Sequence, residues 1–190
     1  MKSISEVEKS THLLREEHQL IENALVAMAT IIKKLEKDNT SDRRQVWEMA
    51  QSFATFVGRS HHSKEDFLLS MIRARRGCSD EYAVRTFYEE HHRIEELLAR
   101  LRKTANEYLD AANQSAEPLV GSLRDVVDFY PGHMWKADHV LFPLADDLLS
   151  ETDQGVLVEQ FSWIESAVGG NADEQLRAIT AEFHPQPKAA

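Results

Sequence analysis

Four long stretches of the chain carry apolar residues at steps of three and four, the period of a helix that buries one face. In the first, Leu14, His18, Ile21, Leu25, Met28, Ile32 and Leu35 form one stripe, predicting a helix from about Ser5 to Glu36. The second places Phe53, Val57, His61, Glu65, Leu68 and Ile72 on one face and ends in the basic run RARR, which suits the C-terminal end of a helix dipole. Phe87, His91, Ile94, Leu98, Leu101 and Tyr108 mark the third, and Val127, Tyr130, Met134, Ala137, Leu141, Leu144 and Leu148 the fourth. Turn chemistry separates them: KDNTSD at 37–42 with Ser41 or Asp42 as helix cap, GCSD at 77–80, and NQSAEP at 113–118 with Pro118 in the first turn of the next helix. Pro131-Gly132 interrupts the fourth pattern and predicts a kink or bulge just before His133.

Beyond Ser150 the pattern predicts a shorter helix from about Thr152 to Val168 and another near 173–183. No segment alternates with strand period over a useful length. The expected fold is all-α: an up-down-up-down four-helix bundle over residues 1–150, one or two short C-terminal helices packed on it at 151–184, and a flexible tail at 185–190, within the frayed HPQPKAA end.

Histidine breaks each apolar stripe in a repeating way. His18 to His91 is 73 residues and His61 to His133 is 72, so the second half of the chain repeats the first to within one position. The local text agrees: EEHQLIENAL at 16–25 pairs with EEHHRIEELL at 89–98, and HHSKEDFLLSMI at 61–72 with HMWKADHVLFPL at 133–144. Residues four apart on a helix project from one face about 6 Å apart along the axis. His61 and Glu65 have that spacing, as do His62 and Asp66, His18 and Glu22, and His91 and Glu95. His133 has Ala137 at that position and Asp138 one residue further on.

A single histidine on an apolar stripe is ordinarily a hydrogen-bonded core residue, and His–Glu pairs four apart are common weak contacts on helix surfaces. Here seven of nine histidines, all but His12 and His184, fall in the four repeat motifs, and independent core histidines would not share registers this closely. Imidazole and carboxylate donors converging inside a bundle point to a metal centre, with iron suited first, then manganese or zinc. Ligation is also what makes such buried polar groups tolerable.

The bulk numbers narrow the partners. A formal charge of −10 argues against nucleic acid and against an anionic membrane surface. No apolar run approaches the roughly 20 residues of a spanning helix, and MKSISEVEKS lacks a signal core, so the expectation is a cytoplasmic protein. The single cysteine, Cys78, has no partner for a disulfide or a thiolate metal site and reads as a turn thiol.

The motifs EEHQLIE at 16–22, FVGRSHHSKED at 56–66, EEHHRIEEL at 89–97 and HMWKADHVLFPLAD at 133–146 resemble the hemerythrin-like, or HHE cation-binding, family over roughly residues 11–150. The resemblance implies a hemerythrin-like bundle holding two non-haem iron ions (Fe2+/Fe3+) under an oxo or hydroxo bridge. It implies small ligands such as dioxygen, nitric oxide or peroxide, in a monomer or homodimer. Carried over, His18, His61, His91 and His133 match the four helix-borne histidines, Glu65 the first bridging carboxylate and His62 a fifth histidine. Asp138, five residues after His133 as in the oxygen carriers, takes the second bridge. Glu22 and Glu95 are further ligands or acceptors that orient imidazole N–H groups, while His92 and His139 face outward.

The chain departs from the oxygen carriers in its third helix, where they place two histidines four apart and this chain has His91 and Glu95. The leading expectation is therefore a di-iron protein that binds or senses a small oxidant. An enzyme acting on peroxide or nitric oxide, or supplying iron for iron–sulfur repair, is the second. A zinc-bound or metal-free regulatory bundle is the third. Met28, Met71, Trp135 and Tyr130 are candidates for lining a gas pocket, with core packing the readier role for the two methionines.

Overall fold

The computed structural model describes residues 9–37, 41–76, 81–110 and 115–183, and these form six helices with no strand among them. The first, α1, spans Ser10–Lys37. The second, α2, runs Arg43–Thr55, widens into a π-helical stretch at Phe56–His61 and continues as His62–Arg76. Helix α3 is Glu81–Asp110. Helix α4 runs Glu117–Lys136, passes through a π stretch at Ala137–Leu141 and ends as Phe142–Leu148. Two shorter helices follow, α5 at Glu151–Val168 and α6 at Ala172–Phe183. The turn at Gly77–Cys78, residues 38–40 and 113–114 of the two loops expected at 37–42 and 113–118, the helical start expected at Ser5 and the tail after Phe183 lie outside the described residues.

Local chemistry accounts for the helix ends. The Asp42 carboxylate accepts from the backbone N–H of Arg44 at 2.8 Å and of Gln45 at 3.3 Å, satisfying donors that a helix start leaves free. Pro118 occupies the first turn of α4, where no intrahelical donor is needed. Ser150 and Asp153 form a reciprocal capping box for α5, which stops at Gly169 with φ 116°, a left-handed conformation that glycine adopts without strain. Gly58, in the first π stretch, permits a close approach: a Cβ there would stand 3.3 Å from Leu98 of α3.

The irregularity expected at Pro131-Gly132 lies elsewhere. Helix α4 runs on through both residues, which are exposed on its outer face, and the wider turn begins at Ala137. The wider turn ends just before Pro143, which has no N–H to bond the carbonyl four residues back, and within it Phe142 N–H bonds Ala137 O.

Two apolar clusters form the core. One joins Met28, Ile31, Met49, Phe53, Leu101 and Leu123 with many others, and includes Leu176, Ile179 and Phe183 of α6. The other joins Leu14, Leu68, Ile72, Phe87, Leu141 and Phe142 with Leu157 and Phe161 of α5. The C-terminal helices thus extend the same core. Each of the four long helices crosses from one cluster to the other, and His18, His61, His91 and His133 stand at the crossing points. Among the described residues no helix is long and apolar enough to cross a membrane.

Candidate metal centre

The layer between the two clusters is polar and closed. His18, His61, His62, Glu65, His91 and His133 are all buried, one helical turn or less from the apolar residues on either side. Glu65, with no exposure, is the hub. Its Oε1 faces His18 Nε2 and His61 Nε2, each at 3.6 Å. Its Oε2 faces His91 Nε2 at 3.0 Å and His133 Nε2 at 3.4 Å. Four imidazoles from four helices therefore turn the same ring nitrogen toward one carboxylate.

The opposite nitrogens are each held by an acid from a different helix. His61 Nδ1 lies 2.8 Å from Glu17, His133 Nδ1 3.0 Å from Glu90, His91 Nδ1 2.7 Å from Asp66 and His18 Nδ1 3.0 Å from Asp138. Such partners fix the ring's orientation and tautomer and, when the ring is neutral, leave the inner nitrogen as the lone-pair donor. Lysines extend the pattern: Lys64 pairs with Glu17, and Lys136 with Glu90. Every one of these contacts has its counterpart in the other half of the sequence repeat.

The repeat breaks at two interior positions. Ala137 stands where the first half has Glu65, and Met134 where it has His62; both are buried. Two overlapping donor groups result: His62, Glu65, His91 and His133, and His18, His61 and Glu65, the ligand atoms of each lying within 4.8 Å of one another. One side offers four donors and the other three, and they share Glu65.

Charge follows from this arrangement. Burial raises the cost of ionising Glu65, but the His61 ring and hydrogen bonds from His133, His18 and His91 together hold its carboxyl well below the usual carboxylate range. Burial opposes protonation of His18 and His91, yet each has two carboxylates against it and is raised to about 9. Burial pushes His61 and His62 down, which keeps their lone pairs free. Burial, with Glu65 and Glu17 nearby, drives the Tyr130 phenol well above its ordinary range, so it stays protonated 2.7 Å from His62 Nε2.

Four of the eight buried side-chain polar atoms without a hydrogen-bond partner among the described residues belong to this layer: His18 Nε2, His61 Nε2, His62 Nδ1 and Glu65 Oε1. Orphaned polar atoms are costly in a core, and their convergence here is the signature of donors arranged for a cation. The donor set fits a metal cation. The hemerythrin HHE cation binding domain model matches residues 9–145. The chain belongs to the hemerythrin HHE cation-binding family. No curated protein and no solved structure matches it significantly.

Within this hemerythrin fold the residues expected from sequence fall into three sets. His18, His61, His62, Glu65, His91 and His133 converge. Asp138, expected as a second bridge, lies outside the converging group. Its carboxylate, about a third exposed, sits on the outer nitrogen of His18, because five residues from His133 carry it past the inner face. Glu22 and Glu95 lie apart from the converging group: Glu22 is exposed and bonds Gln19 at 3.1 Å, and Glu95 is exposed beside His92. His92 and His139 face solvent, the latter stacked on the exposed Trp135 ring. Met28 is fully buried in the apolar core.

Glu17 and Glu90 went unrecognised in the sequence, although each is the second acid of an EEH triplet at repeat-equivalent positions. Asp66 and Asp138 share the register five residues after a helix-borne histidine. The repeat held the signal for all four. Their destinations, on neighbouring helices, lay beyond any one-helix spacing argument.

Proposed function

We propose that the protein is a non-haem di-iron hemerythrin-like protein that binds or senses a small oxidant, dioxygen, nitric oxide or peroxide. The observation that carries this reading is the unequal pair of donor groups around a shared Glu65, one with four donors and one with three. Imidazole and carboxylate without thiolate suit iron, and a three-donor side leaves room for an exogenous ligand. Bound iron would supply a reducible pair of Fe2+/Fe3+ ions at that point. The chain's part is to hold Glu65 ionised, to aim four Nε2 atoms inward through four outer carboxylates, and to keep bulk water out between two apolar clusters.

The arrangement of helices supports an up-down-up-down bundle. The chain meets the Leu14–Phe142 cluster first in α1 and α3 and last in α2 and α4, as alternating directions require. With a charge of −10, the proposed setting remains the cytoplasm, as a monomer or homodimer without nucleic-acid or membrane partners.

Expression in iron-supplied medium, followed by metal counting and spectra before and after admitting air, tests the proposal. Two irons per chain and a visible band that returns on deoxygenation support oxidant binding. Rapid peroxide consumption lost in Glu65→Ala assigns an enzyme instead. Zinc, or no metal, in protein purified from iron-replete cells overturns the di-iron reading.

A further inference from the structure

The family match ends at residue 145, yet α5 reaches the metal centre through two side chains. Lys64 Nζ pairs with one oxygen of Glu17, whose other oxygen holds His61 Nδ1. Helix α5 covers the rest of that ammonium. Glu165 Oε1 lies 2.6 Å from Nζ, and the centre of the Phe161 ring 5.8 Å from it. Phe161 and Glu165 are one turn apart on α5 and so present to Lys64 together. With α5 in place Lys64 is 1% exposed.

The internal repeat supplies the comparison. Lys136, at the equivalent position in the second half, pairs with Glu90, which holds His133 Nδ1 as Glu17 holds His61. It is 38% exposed, and among the described residues no second carboxylate or ring lies against it.

Burial makes this difference matter. An ammonium in a low-dielectric site with a single carboxylate partner concentrates its field on that carboxylate, whereas water screens an exposed one. A Glu17 fully committed to Lys64 would be a weaker acceptor for the His61 Nδ1–H, and the imidazole's inner nitrogen a weaker donor. A second carboxylate on Lys64 shares that charge and leaves Glu17 free to grip His61.

We propose that Glu165 is a positioning residue for the His18–His61–Glu65 donor group: through Lys64 it sets how firmly Glu17 holds His61, and the other half of the centre has no such control. The metal part of this inference rests on the two-metal reading above.

The test uses full-length protein with 15N-labelled histidine, wild type and Glu165→Gln. In metal-free protein the His61 Nδ1–H resonance is expected to move upfield and exchange faster in the variant, while that of His133 stays in place. In a zinc titration the binding step that His18→Ala removes is expected to weaken about 3- to 10-fold, less than loss of a direct imidazole partner. The other step is expected to hold. An unmoved His61 resonance, or equal shifts at both imidazoles and both steps, overturns the proposal. A wild type that binds fewer than two zinc ions sinks the two-metal reading, and the resonance comparison still decides the role of Glu165.

Discussion

Replacing Asp138 by Asn separates two roles that its position in the sequence leaves open. As a bridge between metal ions it would matter to both donor groups. As the acceptor for His18 Nδ1–H at 3.0 Å it matters to one. Loss of a carboxylate partner of a ligating histidine typically costs 10- to 100-fold in metal affinity. The Asp138 side chain is 31% exposed, which screens its charge and sets the expected loss at the lower end, about tenfold or about 1.4 kcal/mol.

A second effect opposes this at neutral pH. His18 is raised to about 9 against the cost of burial because Asp138 and Glu65 both favour its charged form. At pH 7 only about one such ring in a hundred is free of its proton, and metal must displace it. Removing Asp138 lowers the ring's proton affinity and relieves part of that competition. The tenfold loss is therefore expected in full near pH 9 and reduced near pH 7. Zinc titration against a competing chelator at the two pH values, with His18→Ala marking the step concerned, reads both numbers. Equal weakening of both steps, or a larger loss at pH 7 than at pH 9, refutes the orienting role.

Three further outcomes are expected. Because His18 and His91 are raised from 6.5 to about 9 in the fold, their stabilisation is complete below about pH 6.5 and lost as pH rises toward 9. The melting temperature of metal-free protein should accordingly fall across that window by calorimetry, and a flat or rising profile contradicts the assignment. Tyr130→Phe strips His62 Nε2 of its partner in a fully buried site and should cost about 1–3 kcal/mol, lowering Tm by about 2–4 °C per kcal/mol. An unchanged Tm would mean that the contact contributes nothing. Phe161→Ala empties a fully packed site between α5 and the bundle and should cost about 3–5 kcal/mol in denaturant unfolding. A loss under about 1 kcal/mol would mean that α5 is not part of the core.

The periodicity of apolar residues was enough to lay out six helices and the polar layer at His18, His61, His91 and His133, and turn chemistry narrowed the cap of the second helix to Ser41 or Asp42. These are local properties: a stripe, a cap and a register each depend on residues within a few turns of one another. The repeat also named the inner donors, because a histidine in an apolar stripe can point only toward the core. What stayed hidden was every pairing between helices. Glu17 serves His61, Asp66 serves His91, Glu90 serves His133 and Asp138 serves His18, and no spacing along one helix reveals a partner on another.

The same reason explains the misplaced expectations. Glu22 and Glu95 share a helix and a good spacing with their histidines, yet both are exposed while Glu65, at the same spacing from His61, is buried: the spacing alone does not decide which acid faces inward. Pro131 looked like the break, yet the helix runs on through it and the wider turn lies just before Pro143; both prolines are exposed, so position on the outer face does not separate them. Sequence determined which residues face the core and which chemistry they carry. Tertiary packing alone decided which acid meets which imidazole, because those contacts depend on how neighbouring helices are set against one another.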